Sequence, residues 1–238
     1  MRSPRRVLYI ISVTILFLVL GAAFVPIARD TAAGLILKSI ISRYETKYGC
    51  TFEFGRVKMR GFDMIQLDGV RVLVKEETAF YSNTLFAKIN SRGVLSRGIK
   101  AGLLLKDVRF YRKGALSNKL SEILSIESVP IANFDVISCG LEVKGGSNIV
   151  LSDIQAISQR VRIFADATID GSFGVASTAK VLLSRDITSQ IPDMVRGAIL
   201  KREDDDWMSI ALEVKGSLAS PSVTIASRLI KLEIKEVK

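Results

Sequence analysis

Alternation of apolar and polar residues dominates the chain from Thr51 onward. In the first such segment, Phe52, Phe54 and Val57 are separated by charged residues, and Gly55 marks a candidate bulge. Short segments with this period recur to the C-terminus, with Gly, Asn, Asp, Ser or Pro between them. The pattern is typical of antiparallel strands with one apolar face. It predicts strands at 52–59, 65–74, 85–89, 103–111, 134–143, 149–157, 160–170, 176–183, 208–214, 222–226 and 229–234.

Helical spacing is clearest before these strands. Residues 30–48 carry apolar side chains every three or four positions and charged side chains between them, which predicts an amphipathic helix. Asp30 or Thr31 is its candidate N-cap, and Gly49 its expected end. A helix at this place is expected to rest on a membrane surface or to close the end of the domain that follows.

Two further helices are predicted inside the strand region. For one of them, the apolar stripe covers 186–200. Because Pro192 falls inside this stripe, the helix is expected to begin at residue 189 or 190, with Pro192 in its first turn. The other, 115–124, is short. The acidic run 203–206 lacks the ligand spacing of a cation loop, so it is interpreted as a solvated connection between strands.

The N-terminus has the pattern of a membrane anchor. Arg2, Arg5 and Arg6 precede the 22 uncharged residues 7–28, which form about 33 Å of helix, enough for a hydrocarbon core of roughly 30 Å. The arginines favour a cytoplasmic N-terminus, so the rest of the chain is expected across the membrane. The alternative is a cleaved signal peptide with 7–20 as its apolar region, and the remainder is exported in either case.

Composition divides the chain into a stub and anchor (1–28), the amphipathic helix (29–49) and one exported β domain (50–238). The net charge is +10, of which the three N-terminal arginines contribute three. The remaining basic residues are scattered and aromatic residues are few, which argues against a nucleic-acid partner. Anionic membrane lipids are the natural counter-charge for a tethered domain; improved solubility is the alternative reason for the charge.

No motif marks catalytic chemistry. The chain has no histidine, no Gly-x-Ser-x-Gly and no phosphate-binding glycine loop, so we expect neither an enzyme nor a metal or cofactor. Cys50 and Cys139 lie in a compartment that permits disulfides. They are interpreted either as a disulfide or as two buried, reduced thiols.

Three segments share a weak repeat. They read Leu67-Asp68-Gly69-Val70, Leu105-Lys106-Asp107-Val108 and Leu151-Ser152-Asp153-Ile154. Each predicts a strand with a kink or bulge beside the acidic residue. Their spacing is too uneven for a strict solenoid and fits hairpin units added along one sheet.

The order of these parts resembles the AsmA-like family of bacterial envelope proteins. The features that carry the resemblance are the basic N-terminus, the anchor, the amphipathic helix, the strand pair at 52–57 and 67–72, and the closing segment 207–223. The resemblance implies a single-pass inner-membrane protein with a periplasmic domain, a curved β-sheet with an apolar concave face, and a role in lipid transport or envelope biogenesis. Other envelope proteins are implied as partners. The chain is short for this family, which implies a short groove or a partial bridge.

One apolar sheet face must be covered, either by an ordinary core or by lipid acyl chains in a trough. The expected function is therefore a membrane-anchored β-groove protein that binds acyl chains. The alternative is a non-catalytic assembly subunit of an envelope or secretion complex, whose apolar face packs on itself or on a partner. The candidate groove residues are Phe52, Phe54, Val57, Val70, Val72, Val74, Val108, Phe110, Leu141, Val143, Val161, Ile163, Ile210, Leu212 and Val214.

Overall fold

A computed structural model describes the strand region and a few residues before it. The described residues are 30–31, 34–35, 38, 50–61, 63–74, 76–89, 98–111, 121, 124–126, 133–144, 148–172, 174–217, 220–226 and 231–234. The anchor predicted at 7–28 lies outside them, as do most of the helices predicted at 30–48 and 115–124. Within the described part of the chain, no helix is long and apolar enough to cross a membrane.

The described strands all belong to one open antiparallel sheet. The chain is therefore mainly β, as its alternation predicts. The strands are β1 (Cys50–Glu53), β2 (Arg56–Arg60), β3 (Met64–Val74), β4 (Glu77–Ile89), β5 (Gly98–Phe110), β6 (Asn133–Lys144), β7 (Asn148–Ile157), β8 (Val161–Ile169), β9 (Gly174–Ser184), β10 (Lys201–Arg202), β11 (Trp207–Ser217), β12 (Ser220–Ala226) and β13 (Lys231–Ile234). Two short helices, α1 (Arg185–Thr188) and α2 (Asp193–Ile199), connect β9 to β10.

The sheet is a meander in which strands that follow each other in the chain also pair in space. Its order is β1-β3-β4-β5-β6-β7-β8-β9-β11-β12-β13. β1 and β2 together form the first edge, because both pair with β3 on either side of Phe54 and Gly55. The Gly55 amide still donates to the Asp68 carbonyl oxygen at 2.8 Å, so the predicted irregularity at Gly55 is a short break in this edge strand.

Most predicted strands are confirmed, and three local predictions are wrong. β4 begins at Glu77 rather than residue 85, because the 77–84 segment pairs with β3 from Glu77 onward and with β5 from Phe80 onward. Ser220 and Pro221 do not form a break: they pair with Ser217 and Gly216 in the β11–β12 ladder. The helix predicted over 186–200 is two helices, because Pro192 precedes α2 in an extended conformation instead of lying in its first turn.

The weak repeat corresponds to a repeated backbone feature. Gly69, Asp107 and Asp153 have φ angles of +65°, +51° and +51°, the left-handed region that Gly, Asn and Asp adopt most readily. At Asp153 the pairing with both β6 and β8 shifts register, and its amide donates to Asp166 Oδ1 at 2.9 Å. The kinks and bulge predicted beside the acidic residues are confirmed.

These kinks change the phase of alternation within a strand. Leu105 and Val108 are three residues apart, yet both pack in or against one hydrophobic cluster. An uninterrupted strand would point residues three apart to opposite faces. The positive φ at Asp107 reverses that alternation, so both halves of a long strand present apolar side chains to the same side.

The core lies at one end of the sheet, where α1 and α2 emerge, which we call the helix end. Leu183, Val161 and Ile210 from the sheet pack there with Ile187 and Ile191 from the α1–α2 segment, and each is at most 2% exposed. Leu124, between β5 and β6, belongs to the same cluster and is 1% exposed. We call the sheet face that carries this cluster the inner face, and the opposite end of the strands the hairpin end.

Candidate functional site

A continuous row of aliphatic side chains crosses the inner face. Residues paired across neighbouring strands project to the same side, and following the pairs from β2 to β11 gives one such residue per strand. The row is Val57, Leu67, Leu85, Leu105, Ile137, Ala156, Ile163, Val181 and Ile210. At about 4.8 Å per strand the row is roughly 38 Å long.

A second, mostly apolar row runs parallel to the first, nearer the hairpin end. Its members are Ile89, Ala101, Leu141, Leu151, Ala167, Ser177, Val214 and Val223. Beyond it, Val143 pairs with Ile149, Ile149 with Ile169 and Ile169 with Val175. The inner face is therefore apolar over several rows.

Burial differs between the two ends of this face. At the helix end, the α1–α2 segment and residues 124–126 cover the sheet, and side chains are almost fully buried. At the hairpin end, Leu141, Val143, Ile149, Ile169 and Val175 are only half-buried and lie outside the core cluster. These five residues and Leu151, which pairs with Leu141, form the half-buried part of the inner face. We call them the open rows.

The opposite, outer face carries charged side chains together with apolar ones such as Phe86, Ile157 and Phe164. Glu142 lies there between Lys100 and Lys144, at 3.1 and 3.5 Å, and the hydrogen bond from Lys100 is the main reason that its pKa is lowered. The pKa of Asp68 is also lowered, chiefly by a hydrogen bond from Gln66 and further by Lys58. The ion pairs of Glu142 and Asp68 thus lie on the face opposite the aliphatic row.

The described residues of the N-terminal helix lie against the first edge of the sheet. Asp30, Thr31, Gly34, Leu35 and Lys38 are helical. Asp30 accepts a 2.9 Å hydrogen bond from the Met59 amide in β2, so it does not act only as a helix cap. The contact places the helix at the end of the aliphatic row, beside its first member, since a Cβ on Gly34 would lie 3.6 Å from Val57 Cγ2. The helix thus occupies the edge that β2 would otherwise present to solvent.

The candidate groove residues separate into three groups. Val108, Val161, Ile210 and Leu212 are at most 4% exposed in the core cluster. They are core residues, and the expectation that they line an open groove is corrected. Val70 is also buried, at 6% exposed.

The second group is half-buried and consists of Phe54, Val57, Val72, Val74, Leu141, Val143, Ile163 and Val214. Ile163 and Val214 in this group pack against the core. The third group is Phe52 and Phe110, which are 36% and 38% exposed. Phe110 makes an edge-on contact with Phe80, with 5.4 Å between ring centroids.

The periodicity of β7 misses the open-row residues Ile149 and Leu151. These residues are apolar and lie in predicted strands, but the bulge at Asp153 inverts the phase of β7 partway along. Reading the alternation of β7 backward from Ile154 therefore assigns Leu151 and Ile149 to the wrong face. The acidic position of the repeat is the signal that would have corrected this assignment.

Cys50 and Cys139 do not form the disulfide that was one alternative. Both thiols are free and half-buried. They lie on β1 and β6, four strand spacings apart, or roughly 19 Å, whereas disulfide-bonded Cα atoms are about 6 Å apart. Burial raises the pKa of the Cys139 thiol, which disfavours the reactive thiolate.

Comparison with known proteins adds no relative: neither a protein-family model nor any curated protein sequence matches this chain. Within the described residues, His, Cys, Asp and Glu side chains form no cluster able to hold a metal ion.

Proposed function

We propose that this protein binds lipid acyl chains on the open rows of its sheet and assists lipid transport or envelope biogenesis from a membrane anchor at 7–28. The observation that carries the proposal is the unbroken apolar surface across the inner face. The likeness of its sequence layout to AsmA-like proteins, with a periplasmic domain behind an inner-membrane anchor, is consistent with this role.

The dimensions of the inner face suit an acyl chain. One leaflet of a bilayer is about 15 Å of hydrocarbon. The open row of Val143, Ile149, Ile169 and Val175 crosses four strands, or roughly 14 Å, which is close to that length. Side chains along the row are aliphatic, and their contact with methylene groups is non-directional. Each methylene removed from water contributes about 0.8 kcal/mol, so partial occupancy is enough for useful affinity.

The uneven burial of this face favours a bound ligand over a complete core. A sheet whose inner face only packs against its own helices would be buried along the whole strand length. Here the α1–α2 segment covers the helix end, whereas Val143, Ile149 and Ile169 at the hairpin end stay half-buried. Apolar surface that the protein's own helices leave only half-buried is a candidate binding surface for lipid or for another protein.

The second candidate function is a non-catalytic assembly subunit. In that case the open rows contact an envelope partner instead of lipid. The same half-buried apolar surface is consistent with an assembly subunit. The two functions differ only in whether lipid or a protein covers the open rows.

Site-specific photo-crosslinking in cells distinguishes the two functions. A benzophenone amino acid at Ile169 samples the inner face, and the same amino acid at Thr168 samples the outer face of the same strand. A second matched pair is Ile149 and its outer neighbour Val150. We expect lipid adducts, identified by mass spectrometry, at 149 and 169 and none at 150 and 168.

Two results would count against the proposal. Protein adducts at 149 and 169 without lipid would favour the assembly subunit. Equal lipid labelling at 168 and 169 would mean that the adducts come from general proximity to the membrane and not from the inner face.

A further inference from the structure

The outer face carries an arginine stacked on the only tryptophan of the chain. The Cζ atom of Arg162, on β8, lies 4.1 Å from the ring centroid of Trp207, on β11. Such stacking holds a guanidinium in one plane and leaves its in-plane N–H groups for hydrogen bonding. Arg162 is thus fixed in position before any partner arrives.

Ser184 lies on the same face as this stacked pair. It is the cross-strand partner of Trp207, and Arg162 pairs with Leu182, two residues before Ser184. Residues two apart on a strand share a face. Arg162, Ser184 and Trp207 therefore converge at the helix end of β8, β9 and β11, on the side of the sheet opposite the open rows.

Two polar atoms at this place have no hydrogen-bond partner. They are Arg162 Nε and Ser184 Oγ, and among the described residues they are the only buried side-chain nitrogen or oxygen atoms in that state. Ser184 is only 9% exposed, and it precedes α1 without capping it. Buried polar groups without partners are uncommon in folded proteins and point to an unseen ligand or solvent molecule.

Two carboxylates near the stacked pair, those of Glu203 and Asp204, have other partners. Glu203 accepts a hydrogen bond from Ser209 at 2.7 Å and pairs with Lys180 at 2.9 Å. Asp204 accepts from the backbone amide of Trp207 at 2.8 Å. Arg162 forms no ion pair with any described residue.

Ser184 lies next to two further arginines along the backbone. Its amide donates to the carbonyl oxygen of Arg160, Arg185 follows it in the chain, and both arginine side chains are exposed. With Arg162 they bring three positive charges to one end of the sheet. A doubly charged anion is favoured at such a place more than a single carboxylate.

We propose that Arg162 and Ser184 bind a phosphate group. The guanidinium supplies two parallel N–H donors that match two phosphate oxygens, and the serine hydroxyl donates to a third. The stack on Trp207 fixes the position of the guanidinium. The site lies on the outer face, so it stands independently of acyl-chain binding on the open rows.

Trp207 reports on the site directly, because its emission is the only tryptophan signal in the chain. The full-length protein in detergent is titrated with inorganic phosphate at constant ionic strength, with chloride as the reference anion. We expect a saturable change in Trp207 emission with phosphate and none with chloride. Equilibrium dialysis with radiolabelled phosphate gives the affinity without relying on the fluorophore.

Two substitutions test the assignment. Arg162→Gln is expected to weaken phosphate binding about tenfold or more, since it removes charge-assisted hydrogen bonds. Ser184→Ala is expected to weaken it several-fold without disturbing the stack, and it keeps the test valid if Arg162→Gln fails to fold. Lys215→Gln is the matched control: it removes one positive charge from the outer face of β11, where Lys215 is paired with Glu213 at 2.6 Å, and phosphate binding should be unchanged.

The source of the phosphate is resolved by a second titration with dihexanoyl phosphatidic acid. Binding of inorganic phosphate that depends on Arg162 indicates a free phosphate or a soluble phosphate ester. Arg162-dependent binding of the short-chain lipid alone indicates a lipid headgroup. The proposal is overturned if neither ligand binds saturably, or if Lys215→Gln weakens binding as much as Arg162→Gln.

Discussion

The positive φ angles at Asp107 and Asp153 make a quantitative prediction about stability. Both residues adopt the left-handed conformation at φ +51° inside long strands. For most L-residues this conformation costs roughly 1–2 kcal/mol, while Asp and Asn tolerate it. Valine is β-branched and favours ordinary strand geometry. The Asp107→Val variant should therefore lose the whole of this conformational free energy in stability.

The expected loss for Asp107→Val is therefore about 1–2 kcal/mol of unfolding free energy. The side-chain hydrogen bond from Asn83 to Asp107 is long, at 3.2 Å, and exposed, so its loss adds little. Asp107→Asn keeps the conformational tolerance and should change stability by less than about 0.5 kcal/mol. The substitutions at 107 and 153 should add, because β6 separates them.

Guanidinium unfolding of the full chain, followed by far-ultraviolet circular dichroism, measures these differences. Asp135→Val is the control: Asp135 is an exposed residue of the neighbouring strand β6 without a positive φ, and valine there should be neutral or stabilising. The positive φ at Asp107 does not limit stability if Asp107→Val is as stable as Asp107→Asn. The same holds if Asp107→Val lowers the unfolding free energy no more than Asp135→Val does.

Three further predictions follow from burial, ionisation and cysteine pairing. Leu183→Ala should cost about 2–5 kcal/mol in chemical unfolding, whereas Ile169→Ala in the open rows should cost distinctly less; equal losses would mean that the open rows are closed core. The pKa of Glu203 is lowered from 4.5 to about 2, first by the Ser209 hydrogen bond and then by that of Lys180. Since the folded-state pKa lies below the unfolded one, Glu203 should stabilise the fold above about pH 5 and lose that contribution as the pH falls toward 2. The stability difference between wild type and Glu203→Gln should shrink over this range, and a difference independent of pH would contradict the assignment. Under denaturing but non-reducing conditions, Cys50 and Cys139 should both be alkylated, giving two adducts by mass spectrometry; a protein that resists alkylation until reduced would contain the disulfide.

Local sequence signals were sufficient for the strands and for the bulges. Period-two alternation located β3, β6 and β7 closely, because each has one apolar face. The repeated Asp or Gly after Leu67, Leu105 and Leu151 marked the kinks, since few residues tolerate a positive φ. The acidic 203–206 connection between β10 and β11 is exposed, as its composition predicted.

The division of the inner face into core and open rows could not be read from the sequence. Ile210 and Ile149 are both isoleucines in alternating strands, yet one is 2% exposed and the other half-buried. The difference comes from what the α1–α2 segment covers, which depends on long-range packing. The Arg162–Trp207 stack was missed for the same reason, because its partners are 45 residues apart in the chain.

Native mass spectrometry of the full-length protein tests whether acyl chains bind on the open rows. A double variant, Ile149→Asp with Ile169→Asp, places charge on the open rows, and Val150→Asp with Thr168→Asp places the same charge on the outer face. We expect discrete lipid-bound species in wild type and in the outer-face variant, and their loss in the inner-face variant while its circular dichroism stays unchanged. Equal lipid occupancy in both folded variants, or a wild-type protein without bound lipid, would contradict acyl-chain binding on the inner face.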